Sequence, residues 1–247
     1  MRSTIGIGSL AVWLTLAGSA VAQYGELGDL EIARPEDLRD VESIPPPEGA
    51  IILFDGSNLD EWIQLDGQPP AWLLVEGGAM QAPARGGNFG IKTRKQFDGR
   101  YKLHVEFRVP YQPEKAGQAR GNSGVYNQGR YEVQILDSYG LDQPGPTDCA
   151  GIYEVAAPRV NACKAPTVWQ SYDIDFQAPI FRNGQKVQPA RMTVLHNGVL
   201  IHDDVPIPVD NTRSGLGGDP STPGPLHLQD HSDPVQFRNI WLLPISD

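Results

Sequence analysis

The densest run of residue types able to do chemistry is Gly121-Asn122-Ser123-Gly124-Val125-Tyr126-Asn127-Gln128-Gly129-Arg130-Tyr131-Glu132-Val133-Gln134-Ile135-Leu136-Asp137. In its second half Tyr131, Val133 and Ile135 alternate with Glu132 and Gln134. Successive side chains of a strand point to opposite faces, so one acid and one amide share a face opposite three apolar side chains. A carboxylate held by sheet neighbours beside a sugar can act as a general base, and a neighbouring amide can bind a hydroxyl. A solvated Glu and Gln on an outer sheet face is the plainer alternative, and this strand alone does not choose.

A second polar row follows near the C-terminus, where His227, Gln229 and His231 alternate with Leu226 and Leu228. Two imidazoles and an amide on one face suit proton transfer, hydroxyl recognition or a metal site; surface histidines beside a turn are the alternative. Arg238 could stabilise an enolate or carbonyl oxygen with its guanidinium fork, or form a structural salt bridge. Its face is not assignable, because Asn239 shares the side of Phe237 in a regular strand. Tyr126, Trp169 and Tyr172 could stack on a sugar or simply pack a core. There is no Gly-x-Ser-x-Gly elbow, Walker loop, dinucleotide fingerprint or His-Glu-x-x-His pair, so nucleotide and redox-cofactor chemistry have no support.

The elements that must position these residues are short strands. With 27 Gly and 22 Pro, breakers recur too often for long helices,. Strand-like runs are expected at 51–54, 72–76, 101–110, 123–127, 131–136, 169–177, 191–196, 199–202, 226–229 and 235–242. Asn197-Gly198 between two apolar runs predicts a type I′ hairpin turn,. Leu103, Val105, Phe107 and Val109 alternate with Lys102, His104, Glu106 and Arg108, which predicts one core face and one polar face. This number of strands implies an all-β fold of two packed antiparallel sheets, a β-sandwich with jelly-roll or Greek-key connections. Gly- and Pro-rich segments at 111–122, 138–168 and 205–224 are long enough to wall a site.

At the N-terminus, Arg2, the apolar run Ile5–Leu16 and Ala20-Val21-Ala22 read as a secretory signal peptide over residues 1–22,. Export to the periplasm or the extracellular space is therefore expected, with no membrane insertion after cleavage. Residues 23–49 read as an extended lead-in through Pro45-Pro46-Pro47, and 50–247 as one domain,. A net charge of −10 argues against nucleic acid as a partner,. In an exported chain the even pair Cys149 and Cys163 predicts a disulfide,; closing that loop would contribute about 3 kcal/mol in the chain-entropy model.

From about Ile51 to Pro244 the chain resembles the 3-keto-disaccharide hydrolases, a family with a concanavalin-like jelly roll. The matching pieces are Leu53-Phe54-Asp55-Gly56, Asn122-Ser123-Gly124-Val125-Tyr126, Glu132-Val133-Gln134-Ile135-Leu136-Asp137, Trp169-Gln170-Ser171-Tyr172, Leu195-His196-Asn197-Gly198-Val199, Leu228-Gln229-Asp230-His231 and Phe237-Arg238-Asn239-Ile240. Ser232 departs from the Gly expected after the histidine. The resemblance implies a glycoside whose C3 hydroxyl a separate oxidoreductase has made a ketone. The ketone acidifies the C2 proton, so a base can remove it and the aglycone can leave C1. On this reading Glu132 is the base, His231 the acid toward the leaving oxygen, and Arg238 or a divalent cation the enolate stabiliser, while Asn122, Tyr126, Gln134, Trp169 and Gln229 bind substrate. No organic cofactor is expected. Two alternatives remain open: a non-catalytic carbohydrate-binding module, and a classical glycosidase acting on unoxidised glycan through two acids.

Overall fold

A computed structural model of the chain describes residues 27–84 and 90–245; the signal-peptide segment lies outside the described residues. The strands are β1 (Ile51–Phe54), β2 (Trp62–Gln64), β3 (Leu73–Val75), β4 (Ala79–Gln81), β5 (Ile91–Phe97), β6 (Arg100–Arg108), β7 (Ser123–Asn127), β8 (Tyr131–Ile135), β9 (Gln170–Gln177), β10 (Ile180–Arg182), β11 (Gln185–Gln188), β12 (Ala190–His196), β13 (Val199–Ile207), β14 (Gly224–Leu228) and β15 (Gln236–Ile245). They form an eight-stranded sheet ordered β13-β12-β9-β6-β15-β4-β3, with β1 also on β15, a five-stranded sheet ordered β2-β5-β14-β7-β8, and a separate two-stranded ribbon of β10 and β11. All the pairings are antiparallel. Leu103, Val105 and Phe107 of β6 meet Tyr131, Val133 and Ile135 of β8 in one continuous core. The jelly-roll sandwich expected from the strand pattern is the observed architecture. Among the described residues no helix is long and apolar enough to cross a membrane.

The hairpin between β12 and β13 turns at Asn197 and Gly198, with φ of 52° and 78°, the left-handed pair that a type I′ turn requires. Strand β5 escapes the apolar pattern because its inward position is a threonine. Thr93 is buried, and its hydroxyl accepts from the Leu226 backbone N–H at 3.0 Å.

The outer face of the large sheet departs from a simple polar face. His104 and Glu106 are fully buried there, because the lead-in lies over them. Ser43 Oγ donates to Glu106, Trp241 Nε1 donates to the Ile44 carbonyl at 3.2 Å, and Val41 N donates to the Trp169 carbonyl at 3.1 Å. Arg238 Nε donates to Glu106 Oε2 at 2.6 Å, and Asn239 Nδ2 to Oε1 at 2.7 Å. Both reach one carboxylate because the register slips between Arg238 and Trp241, with Asn239 at a φ of 44°,. Burial would raise the Glu106 carboxyl, but hydrogen bonds from His104, Asn239, Ser43 and Arg238 outweigh it and hold it down at about 2. The lead-in is thus latched to the sheet by a buried, fully partnered carboxylate.

Replacing that carboxylate should expose the latch. Glu106→Gln should cost about 3 kcal/mol of unfolding free energy near neutral pH, because Arg238 loses its counter-charge. A depressed folded-state value stabilises above the ordinary 4.5 and is lost as pH falls toward about 2,, so the gap between wild type and variant should close in that window. Urea denaturation at several pH values, with limited proteolysis of residues 38–46, checks both.

Candidate functional site

On the outer face of the five-stranded sheet, β7 and β8 pair with Gly124 opposite Gln134 and Tyr126 opposite Glu132. Three loops cover this face. Asp233 holds the first, accepting from Gln112, Lys115 and the Asn122 backbone N–H. The second extends the edge of β8, where Gln134 N donates to the Gly151 carbonyl and Tyr153 N to the Glu132 carbonyl. The third is pinned by buried Thr212, whose Oγ1 accepts from Glu132 N at 3.1 Å and donates to the Arg130 carbonyl at 2.8 Å. Together they enclose a cavity of about 310 Å³.

Glu132, Gln134, Tyr126, Asn122, Gln229 and His231 all line this cavity, so the structure brings together the first polar row, Gln229 and His231 of the second, and the asparagine that the sequence singled out. Gln118, Tyr153, Arg213 and Ser214 line it as well. These four were missed. They belong to the three long irregular segments, whose length was the signal that they wall a site, but nothing local marks which of their residues point inward.

Glu132 is buried on the cavity floor. Burial, with Glu154 adding repulsion, pushes its carboxyl up to about 8 against a hydrogen bond from Tyr126. Among the described residues no cation lies within ion-pairing distance of it. Burial also keeps the Tyr126 phenol protonated, and Gln229 Nε2 donates to its oxygen at 3.1 Å. The space for the carboxylate comes from Gly124, where a Cβ would overlap Glu132 Oε1 and crowd the Tyr126 ring. Two buried acceptors, Gln134 Oε1 and Gln229 Oε1, have no protein partner, so they are free to accept from hydroxyls of a ligand. His231 is exposed at the mouth. The following Ser232 has a φ of 67°, a left-handed backbone that glycine adopts without strain.

Other expectations are corrected. Arg238 and Trp169 do not reach this cavity. They sit on the outer face of the opposite sheet, with the Arg238 guanidinium 4.3 Å from the Trp169 ring centroid and paired to Glu106. Tyr172 is in the core, donating to the Gln134 carbonyl at 2.7 Å. His227 lies beneath Tyr126, with ring centroids 4.8 Å apart, and its Nδ1 donates to the Ile91 carbonyl; burial lowers it to about 4. The expected disulfide is not formed. Cys149 and Cys163 are buried free thiols in mutual hydrogen-bond contact, with Cys149 Sγ 3.2 Å from the Tyr172 hydroxyl.

With His196 these thiols make the one group of three potential metal ligands among the described residues, and it lies in the core. The cavity offers one carboxylate, neutral amides and His231. That donor set does not fit a hard divalent cation, which prefers several oxygen ligands with charge among them.

A buried carboxyl beside unpartnered amide oxygens, on the floor of a loop-walled cavity on the outer face of a jelly-roll sheet, suits a carbohydrate-active protein, and the matches to known proteins agree. Residues 49–243 match the 3-keto-alpha-glucoside-1,2-lyase-like domain, and the chain belongs to that family. A protein from Parabacteroides distasonis provisionally named a glycosyl hydrolase superposes with a TM-score of 0.70 at 30% identity, covering 86% of this chain and 97% of that one. Two further proteins of that organism with the same provisional name share the fold, at 18% identity and a TM-score of 0.59 over 81% and 95% of the two chains, and at 20% and 0.53 over 79% and 99%. No curated protein sequence matches the chain.

The raised Glu132 value has a thermodynamic consequence. A carboxyl raised above its ordinary 4.5 in the folded state contributes stability below 4.5 that is lost as pH rises through about 8,. Glu132→Gln should therefore melt several degrees higher than wild type at pH 9 and equally at pH 4. Thermal denaturation across that range checks it.

Proposed function

We propose that this protein cleaves 3-keto-glycosides by elimination across C1 and C2, with Glu132 as the base. The observation that carries the reading is the buried Glu132 carboxyl, raised to about 8 and without a cationic partner. A desolvated carboxylate is a stronger base than one in water, which matches the task of removing a carbon-bound proton.

In the reaction, the Glu132 carboxylate takes the C2 proton and the C–H electron pair enters the C2–C3 bond, leaving negative charge on the C3 oxygen. That pair then forms C1=C2 as the C1–O bond breaks, and the leaving oxygen takes a proton from the protonated form of His231. The product is an unsaturated 3-keto sugar, to which water can add at C1 to complete net hydrolysis. Arg213, at the cavity wall, replaces Arg238 as the cation facing the developing oxyanion,. Its hydrogen bond to Glu154 at 3.0 Å orients the guanidinium. Gln134 Oε1 and Gln229 Oε1 accept from sugar hydroxyls, and Tyr126 holds the carboxylate in place.

The family's 3-keto-alpha-glucoside-1,2-lyase-like character supports elimination at this position. A classical glycosidase needs a second acid across the cavity. Asp137, the other acid of the Gly121–Asp137 segment, is instead buried in a salt bridge to Arg120 at 3.3 Å. The signal-like N-terminus supports action outside the cytoplasm, on a ketone supplied by a separate oxidoreductase.

Aglycone release should occur from a 3-keto-glucoside and not from its native counterpart. Glu132→Gln should lower kcat by about a thousandfold or more, with the fold intact by circular dichroism. Because the base must be ionised, wild-type kcat/KM should rise with pH along an acid limb set by a group near 8, a limb that Glu132→Gln should lack. Release from the native glucoside at a comparable rate would refute the reading.

A further inference from the structure

A second cavity, of about 450 Å³, opens on the same face of the five-stranded sheet, walled by β2, β5 and the chain from 216 to 225. It is lined by Lys92, Arg94 and Arg130 against one acid, Asp219. The chain as a whole carries a net charge of −10, so a positive concavity runs against its composition. None of the three cations has a carboxylate partner among the described residues. Lys92 Nζ donates to the Leu65 carbonyl at 3.2 Å, and Arg94 Nε to the Asp60 carbonyl at 2.8 Å. Arg130 donates to the carbonyls of Gly217, Thr222 and Asp219.

Arg130 is only 4% exposed. Its remaining N–H groups go to Gln128 Oε1 and Thr222 Oγ1, so Arg130 contributes a buried positive charge to the wall rather than a free donor, and Lys92 and Arg94 are the cations that can meet a ligand. The Asp219 carboxylate is hydrogen-bonded to its own loop, accepting from Ser221 N and Oγ at 2.9 and 2.7 Å, and offsets one of the three positive charges through its interaction with Arg130. A bound anion would meet the remaining excess, and a concave wall of mainly one sign concentrates such ligands.

The sheet register fixes where that anion sits relative to the reacting ring. Lys92 pairs with His227, His227 with Tyr126, and Tyr126 with Glu132. Three strand spacings separate the cation from the base, about 14 Å. An anionic group there cannot belong to the ring over Glu132; it belongs to a neighbouring unit of an extended substrate.

We propose that the cavity walled by Lys92, Arg94 and Arg130 is a subsite for an anionic group, a carboxylate or a sulfate, on the sugar next to the 3-keto ring. This rests on the reading of the Glu132 cavity as the place of the reacting ring. The substrate class is then an acidic glycoside, and the basic wall sets specificity without touching the reacting atoms.

The test uses 3-keto disaccharides whose leaving sugar is glucose, glucuronate or glucose 6-sulfate. At low ionic strength KM for at least one acidic substrate should lie about tenfold below that for the neutral one, and that preference should fall toward one at high salt. Lys92→Gln combined with Arg94→Gln should erase it. Arg130 is left in place because its burial ties it to the fold. Whichever acidic substrate is preferred identifies the anion, and equal KM for all three in wild type would overturn the subsite.

A second measurement separates this from the reaction itself. Calorimetry on Glu132→Gln with unoxidised acidic and neutral disaccharides should show salt-sensitive binding of the acidic one, lost when the two basic residues are also replaced. That result would support the subsite even if no 3-keto substrate were cleaved, and equal binding of both disaccharides would count against it.

Discussion

Everything about the cavity follows from a carboxylate taken out of water without a cation to meet it. Glu132 can be held there only because its surroundings were built for it. Gly124 leaves the space, Tyr126 donates a hydrogen bond, and Thr212 ties the loop overhead to the backbone N–H of Glu132 itself. Burying the carboxyl costs the folded state something at neutral pH, where it holds its proton more tightly than it would in solvent, and the Tyr126 hydrogen bond offsets part of that cost,. A site that stores instability in this way is a functional site more often than a structural one.

The protein contains its own control for that argument. Glu106 is also buried, on the outer face of the other sheet, yet it accepts from Ser43, Arg238 and Asn239 and lies beside His104. Its carboxyl is held near 2 while that of Glu132 is raised to about 8. Both are desolvated, and the difference is the company each keeps. The paired carboxylate fastens the lead-in to the sheet, and the unpaired one is available to exchange a proton with a ligand. Environment alone assigns the two roles.

Much of this was legible in the sequence. Alternation placed Glu132 and Gln134 on one face, and Asn197-Gly198 fixed its hairpin, because both signals are local. The cavity's loop residues were not legible, since Tyr153 and Arg213 reach Glu132 through hydrogen bonds between segments far apart in the chain. Arg238 misled for a related reason: a register slip in β15 turns both Arg238 and Asn239 toward Glu106, and a regular period of two cannot anticipate a bulge. The cysteine pairing failed differently. Proximity was anticipated correctly, for the two thiols do meet, but they meet as hydrogen-bonded neighbours with Cys149 engaged by Tyr172.

The central claim is that Glu132 removes the C2 proton of a 3-keto sugar before or as the C1–O bond breaks. The most direct measurement compares single-turnover cleavage of a 3-keto-glucoside carrying hydrogen or deuterium at C2. Cleavage of that carbon–hydrogen bond in the first chemical step should make the deuterated substrate several-fold slower, and the same sugar incubated with Glu132→Gln in heavy water should take up no deuterium at C2. Equal single-turnover rates for the two substrates, or cleavage that leaves C2 hydrogen untouched, would contradict the account.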